Sequence, residues 1–326
     1  MIPFDYIRPS SQQAAIDAVS KNDKAAFIAG GTNLVDLMKR EVTAPGKLVD
    51  INLLPLRSIA KTGTVLRIGA LALNSEVADN KLVLEYTPLL SMAIRAGASP
   101  QIRNMATTGG NMMQRTRCTY FYDITMPCNK RQPASGCGAL QGYNRMHAIF
   151  GASDSCIAVN PSDMCVALIA LDAIVIVSNG KYERKIPFGD FHRLPGDNPQ
   201  SDNNLNKGEL ITAVEIPANF SLAKNSHYLK IRDRSAYAFA LVSVAGYSSS
   251  YSPVMKNVRL AMGGVAHKPW RLTEVEKFLE GKTPSVDVFN QAAELATQGA
   301  KGYGYNNFKI KMGKNAIVKV LKAITS

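Results

Sequence analysis

Short apolar runs punctuated by glycine alternate along this chain with stretches in which apolar residues recur every three or four positions. The run Ala25–Ala29 reads as a short buried strand. Gly30-Gly31-Thr32 breaks it, and Leu34, Leu37 and Met38 then recur at helical spacing, giving strand, glycine turn, helix. Leu48–Ile51 and Val65–Ala70 are further strand candidates, the second reaching glycine at Gly69. From Pro88 to Ala98 the spacing of Leu89, Leu90, Ala93 and Ile94 predicts a helix with one apolar face, and Thr107-Thr108-Gly109-Gly110-Asn111 reads as a second small-residue turn. The character changes between Met112 and Asn160, where there is no long periodic run; this stretch reads as a loop-rich insertion held by ligands rather than by a core. Regularity resumes with Met164–Leu171, a buried helix, and Ala173–Val177, a strand that Asn179-Gly180 turns into a hairpin with Lys181–Ile186.

Asp197–Gly208 is polar and rich in asparagine, a surface loop or lid, and Glu209–Pro217 is a strand closed by proline. Tyr228–Ile231, Ala240–Tyr247, Val258–Met262 and two closing helical stretches predict a separate sheet-and-helix unit after a boundary near residue 220. The fold class expected is α+β. A length of 326 residues with 46% hydrophobic composition agrees with two or three packed units.

Net charge and signals narrow the setting. The charge of +13 comes from scattered lysines and arginines with no basic block interleaved with aromatics, so solubility or an acidic partner explains it better than nucleic acid. No run approaches the ~18 apolar residues of a membrane span, and Met1 to Pro9 has neither an apolar export leader nor a twin-arginine pair. No membrane span and no address of its own are expected.

Two patterns carry chemistry. Ala29-Gly30-Gly31-Thr32-Asn33, after a strand and before a helix, has what a phosphate cradle needs: outward N–H groups, no Cβ at the point of approach, and a helix N-terminus. Taken singly, such a pair of glycines is more often a plain turn. Neither the Gly-x-Gly-x-x-Gly fingerprint at a strand–helix junction nor the phosphate loop ending in Gly-Lys-Ser/Thr is present. The second pattern is thiol. All five cysteines fall between Cys118 and Cys165; Cys118, Cys128, Cys137 and Cys156 lie in the insertion, spaced C-x9-C-x8-C-x18-C, and Cys165 lies in the apolar helix after it as a core thiol. That spacing matches no common zinc knuckle or ferredoxin, and leaves open two disulfides, a structural zinc, or a cubane [4Fe-4S] cluster.

The ordered pair Phe27-Ile28-Ala29-Gly30-Gly31-Thr32-Asn33-Leu34 and Gln101 to Asn111, followed by Pro161-Ser162-Asp163, Gly208-Glu209-Leu210-Ile211 and Lys230-Ile231-Arg232, resembles the flavin subunits of the xanthine oxidase family of molybdenum hydroxylases over nearly the whole chain. The resemblance implies a two-part FAD-binding domain over residues 1–219 (subdomains of about 1–55 and 56–219, with the insertion at about 112–160) and a C-terminal domain of the CO dehydrogenase flavoprotein type over 220–326. It implies that Phe27 to Leu34 binds FAD, with Ala29 to Leu34 wrapping its pyrophosphate and Leu34 near the ring, and that Thr107, Thr108, Gly109, Gly110 and Asn111 face the diphosphate and ribityl chain from the other side. Asp163 would contact the ADP half, Leu210 or Ile211 would pack at the ring, and Lys230 would be a polar contact. Read alone, Asp163 is simply a helix cap and Lys230 a solvated strand-end lysine.

Arg115-Thr116-Arg117-Cys118-Thr119-Tyr120-Phe121-Tyr122, with Pro127-Cys128 and Gly136-Cys137, is similar to the aldehyde oxidoreductase branch of that family, which carries a [4Fe-4S] cluster here. Cys118, Cys128, Cys137 and Cys156 would then be its ligands, with Arg115, Arg117, Lys130 and Arg131 balancing its charge. The implied function is electron transfer within a complex that oxidises aldehydes to carboxylic acids. A large subunit holds the molybdenum cofactor, a small one two [2Fe-2S] clusters, and electrons leave through FAD to an external acceptor. A heterotrimer exported to the periplasm on a partner's signal is expected, with cytoplasmic residence as the alternative. Rival readings are a 4-hydroxybenzoyl-CoA reductase-like or xanthine dehydrogenase-like flavin subunit, and a zinc-stabilised binding module without redox activity. None of His147, His192, His227 and His267 is given a catalytic task.

Overall fold

The computed structural model describes residues 1–218, 225–249 and 253–325, and the boundary expected near residue 220 lies outside them. Twelve strands form three sheets among the described residues. In the first, β1 (Asp5–Ile7) and β2 (Ala25–Ile28) flank β3 (Lys47–Asp50), all parallel. The connection from β2 to β3 runs through Ala29–Asn33 and the helix Leu34–Lys39. The glycine loop therefore sits at the C-terminal end of a parallel strand, where α/β folds leave room for a ligand.

The second sheet has the order β4-β5-β8-β6-β7, built from β4 (Ile59–Thr62), β5 (Val65–Gly69), β6 (Ile174–Ser178), β7 (Glu183–Pro187) and β8 (Leu210–Pro217), every neighbouring pair antiparallel. The β-branched run Ile174 to Val177 suits a pleated strand buried between neighbours. Gly180, at φ 90°, makes the expected turn between β6 and β7. The third sheet, β12-β11-β10-β9, is antiparallel and consists of β9 (Ser226–Ile231), β10 (Val242–Tyr247), β11 (Arg259–Gly263) and β12 (Trp270–Arg271).

Three helices close the chain rather than two: Thr273–Leu279, Val286–Ala296 and Phe308–Ile324. The last packs on β10 and β9.

The helix Asp163–Ala170 joins the second and third sheets. All eight of its residues are buried, because the helix Pro88–Ala96 covers one side and β10 with β11 the other. A helix enclosed in this way needs no polar face, which is why its sequence reads as one apolar block.

The turn expected at Thr107–Asn111 is the N-terminus of a short helix, Thr108–Met112. Its N-cap is Thr107, whose hydroxyl accepts from the Gly110 N–H at 3.2 Å.

Candidate flavin-binding site and cysteine insertion

The two glycine segments meet. A Cβ built on Gly30 would lie 1.9 Å from the Met105 carbonyl oxygen, so only glycine lets the first loop rest on the backbone preceding Thr107. Gly31, at φ 69°, then turns the chain in the left-handed region. Between them and Leu210 and Ile211 of β8 runs a groove of about 420 Å³, lined by Phe27 to Leu34, Thr107, Gly109 and Gly110, with Arg115 on its wall.

The two loops differ in what they offer. The backbone N–H groups of Gly30, Gly31, Thr32, Asn33 and Leu34 donate to no acceptor among the described residues. The side chain of Asn33 accepts from the Arg115 N–H at 2.8 Å through Oδ1, but its buried Nδ2 also has no partner. A run of free donors at the start of a helix is suited to accepting phosphate oxygens. In the second segment the N–H groups of Thr108, Gly109, Gly110 and Asn111 all donate within the protein, to Ala72 O, Ala70 O, Thr107 Oγ1 and Thr107 O. That segment provides a wall without side chains, and the donors come from the first loop.

Asn33→Asp keeps the Oδ1 acceptor and removes the free donor. Since a hydrogen bond to a charged group contributes about 1.5–3 kcal/mol and the new carboxylate also repels phosphate, FAD affinity is expected to fall at least about ten- to a hundredfold in a fluorescence titration, and the flavin-free protein to melt lower because the new charge is buried without a partner.

Four expected contacts stand elsewhere. Thr108 and Asn111 do not line the groove: the Thr108 hydroxyl donates to Ala72 O at 3.1 Å, and Asn111 Oδ1 accepts from Ser162 Oγ at 2.6 Å. Asp163 and Lys230 do not line it either, and pair with each other at 2.7 Å, both nearly inaccessible to solvent. Tyr228 donates its hydroxyl to the other Asp163 oxygen at 2.7 Å, and Lys230 also reaches Ala96 O. Lys230 is thus no solvated strand-end lysine, and Asp163 is not the helix cap, a place taken by Ser162, whose Oγ accepts from the Cys165 N–H at 3.1 Å. Asp163 borders a second cavity of about 150 Å³, whose walls include Thr116, Cys118, His147, Ser162 and Phe239. Ser162, on the wall of this cavity, donates to Asn111, the neighbour in sequence of the groove residue Gly110.

The insertion has a small apolar anchor, contrary to the expectation of ligands alone. Phe121, 1% exposed, packs with Cys128 against Leu37 and Val42 beyond the first glycine loop. Cys118, Cys128, Cys137 and Cys156 line one common space with Tyr120, Phe121, Lys130 and His147, and none of them is disulfide-bonded. Among the described residues, no three His, Cys, Asp or Glu side chains are gathered as ligands of a single metal ion. Burial pushes the Cys118 thiol up to about 12, opposed by the N–H groups of Phe121 and Tyr120, and the Cys156 thiol up to about 11, opposed by Lys130 and the Ala158 N–H. Thiols so placed stay neutral unless cationic metal takes their protons.

The four basic residues are occupied by protein acceptors. Arg131 donates to the carbonyls of Tyr120, Phe121, Ile124 and Met126, and Arg117 bonds Asp36 and Tyr122. Arg115 and Lys130 converge on Asp202, and Lys130 also reaches Pro199 O at 2.6 Å. The segment expected as a surface loop or lid is therefore a buckle over the insertion. Burial works against the Asp202 charge, but Lys130 and Arg115 hold its carboxyl below the usual carboxylate range.

Composition gave no role to His147, whose Nε2 lies 3.1 Å from Cys118 Sγ, although its place between Cys137 and Cys156 was a signal. Burial holds its imidazole down to about 4, with Lys309 adding to the shift. His192 and His267 are buried too and bond the carbonyls of Met112 and Arg193.

A groove with a row of free donors at a strand–glycine–helix junction, joined to an antiparallel sheet domain and a second sheet-and-helix unit, defines a flavoprotein subunit. Residues 2–219 match the model of the FAD binding domain in molybdopterin dehydrogenase, residues 227–324 match the CO dehydrogenase flavoprotein C-terminal domain, and the chain belongs to this family. It is 44% identical to the aldehyde oxidoreductase FAD-binding subunit PaoB of Escherichia coli (strain K12) over 98% of both chains. To the glyceraldehyde dehydrogenase medium chain of Sulfolobus acidocaldarius it is 30% identical, over 89% of this chain and 85% of that one. The fold matches a chain of the reconstituted CO dehydrogenase from Oligotropha carboxidovorans with a TM-score of 0.78 at 22% identity, over 100% of this chain and 99% of that one.

Proposed function

We propose that this chain is the FAD-binding electron-transfer subunit of a molybdenum-dependent aldehyde oxidoreductase, and that its insertion holds a [4Fe-4S] cluster. The observation that carries the flavin reading is the row of unpaired N–H groups from Gly30 to Leu34, together with the orphaned Asn33 Nδ2, in a groove closed by a glycine wall. These donors would hold the FAD pyrophosphate. The apolar residues Leu210 and Ile211 would flank the adenosine end, and the second cavity, with Ser162 on its wall, would receive the ring. In this reading Leu210 and Ile211 would lie at the adenosine end rather than at the ring, and Asp163, paired with Lys230, would border the ring cavity rather than the ADP half. When bound, FAD supplies the hydride and one-electron chemistry, and the protein's task is to seat and orient it, so no acid–base pair is needed in this chain.

For the insertion, four thiols round one space without a disulfide favour a metal centre. A zinc ion would draw its sulfurs to ~2.3 Å from one point, whereas a cubane gives each thiolate its own iron and lets the sulfurs stand farther apart.

In this reading residues 1–219 form the FAD-binding part, in subdomains of about 1–55 and 56–219, and 220–326 the C-terminal part. The partners are a large molybdenum subunit and a small [2Fe-2S] subunit in a heterotrimer, with a partner's signal carrying the complex to the periplasm. No helix among the described residues is long and apolar enough to cross a membrane.

The reading is tested on purified protein. Flavin absorbance with four irons per chain is expected, and Cys137→Ser should lose the iron while retaining FAD. Zinc without iron, or no flavin, would refute it. Normal turnover of the iron-free variant with its native acceptor would make the cluster a brace rather than a relay.

A further inference from the structure

Lys309 is fully buried, and no carboxylate reaches it among the described residues. It projects from the first turn of the C-terminal helix Phe308–Ile324 and donates to two carbonyls, His147 O at 3.0 Å and Gly264 O at 2.8 Å. The charged neighbour that acts on it is cationic: Arg145, which pairs with Asp233 and stacks on Phe308. Asn306 holds the same backbone, donating to His147 O and Ala148 O. The other buried lysines, Lys130 and Lys230, each face a carboxylate. Burial, with Arg145 adding to it, lowers the Lys309 ammonium to about 7, so it stays fully charged at neutral pH only where an anion stands nearby, and the described residues of the chain provide none.

The backbone that Lys309 grips belongs to a residue on the wall of one candidate anionic centre. The residue whose carbonyl Lys309 grips is His147, and the ring of His147 lies 3.1 Å from Cys118 Sγ on the wall of the four-cysteine space. A cubane with four thiolates carries net negative charge that grows on reduction.

We propose that Lys309 is the counter-charge of the cluster in the insertion, delivered from the C-terminal domain, and that it holds the cluster's reduced form in favour. The inference rests on the cluster reading above. It explains why the C-terminal helix spends a position of its buried face on lysine: Lys309 lies in line with Gly313, Ala316, Ile317 and Val320, where an apolar residue would otherwise belong. It also gives the contact between the last helix and the insertion an electrostatic task. Lys309 is a positioning residue in this account; it touches no thiolate.

The test uses the full chain with Lys309→Gln, which retains N–H donors for the two carbonyls but no charge, and Lys309→Arg, which retains the charge. A unit charge at two contacts' remove, at an effective dielectric of ~20, is worth about a factor of ten in an equilibrium. In a redox titration followed by electron paramagnetic resonance, Lys309→Gln is expected to lower the reduced-to-oxidised ratio of the cluster about tenfold at fixed potential, a shift of about 59 mV for a one-electron couple. Lys309→Arg should stay near the wild type. In iron-free protein Lys309→Gln should melt higher than the wild type, because it removes an amine whose burial depresses its pKa and so costs stability at neutral pH.

An unchanged potential in Lys309→Gln with iron intact overturns this inference and leaves the cluster reading standing. Iron-free Lys309→Gln melting at or below the wild type also overturns it, and does so even where the iron-loaded variant cannot be obtained. Wild-type protein that never carries iron overturns the cluster reading and this inference together.

Discussion

Gly30→Ala is expected to abolish flavin binding and to lower stability by about 1–3 kcal/mol, the usual cost of forcing an extra carbon into a packed contact. The new Cβ would stand 1.9 Å from Met105 O and 2.7 Å from Met105 C, and both are backbone atoms that cannot rotate aside. The loops must part, which shifts the free N–H groups of Gly30 to Leu34 away from the wall at Gly109 and Gly110. Oriented charge-assisted hydrogen bonds do not survive that displacement. The protein should purify without flavin absorbance and take up none from added FAD. Gly189→Ala is the control: nothing lies within 4 Å of a Cβ there, and flavin content should match the wild type. Full flavin loading of Gly30→Ala would show that the groove is not where the pyrophosphate lies.

Asp202→Ala is expected to cost about 3–5 kcal/mol, the largest stability effect predicted for this chain. The loss is large because Lys130, 1% exposed in its side chain, and Arg115 are left without the carboxylate on which both converge. Glu294→Ala removes the partner of Lys314 from a pair whose carboxylate is 66% exposed, and should change stability by about 0–1 kcal/mol. Chemical denaturation of the three proteins separates the cases.

The pH dependence has a definite sign. Lys130 and Arg115 lower the folded-state pKa of Asp202, so its stabilisation is complete above the unfolded carboxyl value of about 3.9 and fades as pH falls through the lower folded value. The gap between wild type and Asp202→Ala should therefore close in acid below about pH 4. A gap that persisted there would mean that packing, not charge, holds the buckle.

Much of the local structure is legible in the order of residues. Strand, glycine turn and helix from Ala25 to Lys39 follow from an apolar run, two residues without side chains and a change of period. The β6–β7 hairpin follows from β-branched residues and Asn179-Gly180. Cys165 reads as a core thiol because its helix is apolar throughout, and it is fully buried. Lys309 could also have been singled out, since helical spacing puts it on the same face as Gly313, Ala316, Ile317 and Val320, and a charge on an apolar stripe always needs a reason. The segment Asp197–Gly208 misled because asparagine and aspartate are the ordinary residues of exposed loops, and only a partner 72 positions away makes Asp202 an anchor.

The sequence by itself determined the elements, the two glycine segments and the gathering of thiols in one stretch, because backbone preference and apolar periodicity act over a few neighbouring residues. Tertiary structure decided which glycine segment keeps its N–H groups free and which spends them within the fold. It also decided that Asp163 and Lys230 pair with each other, and that Lys130 is buried against a carboxylate whereas Lys309 is buried without one among the described residues. Those outcomes depend on desolvation and on contacts between residues far apart in the chain, which local patterns do not encode.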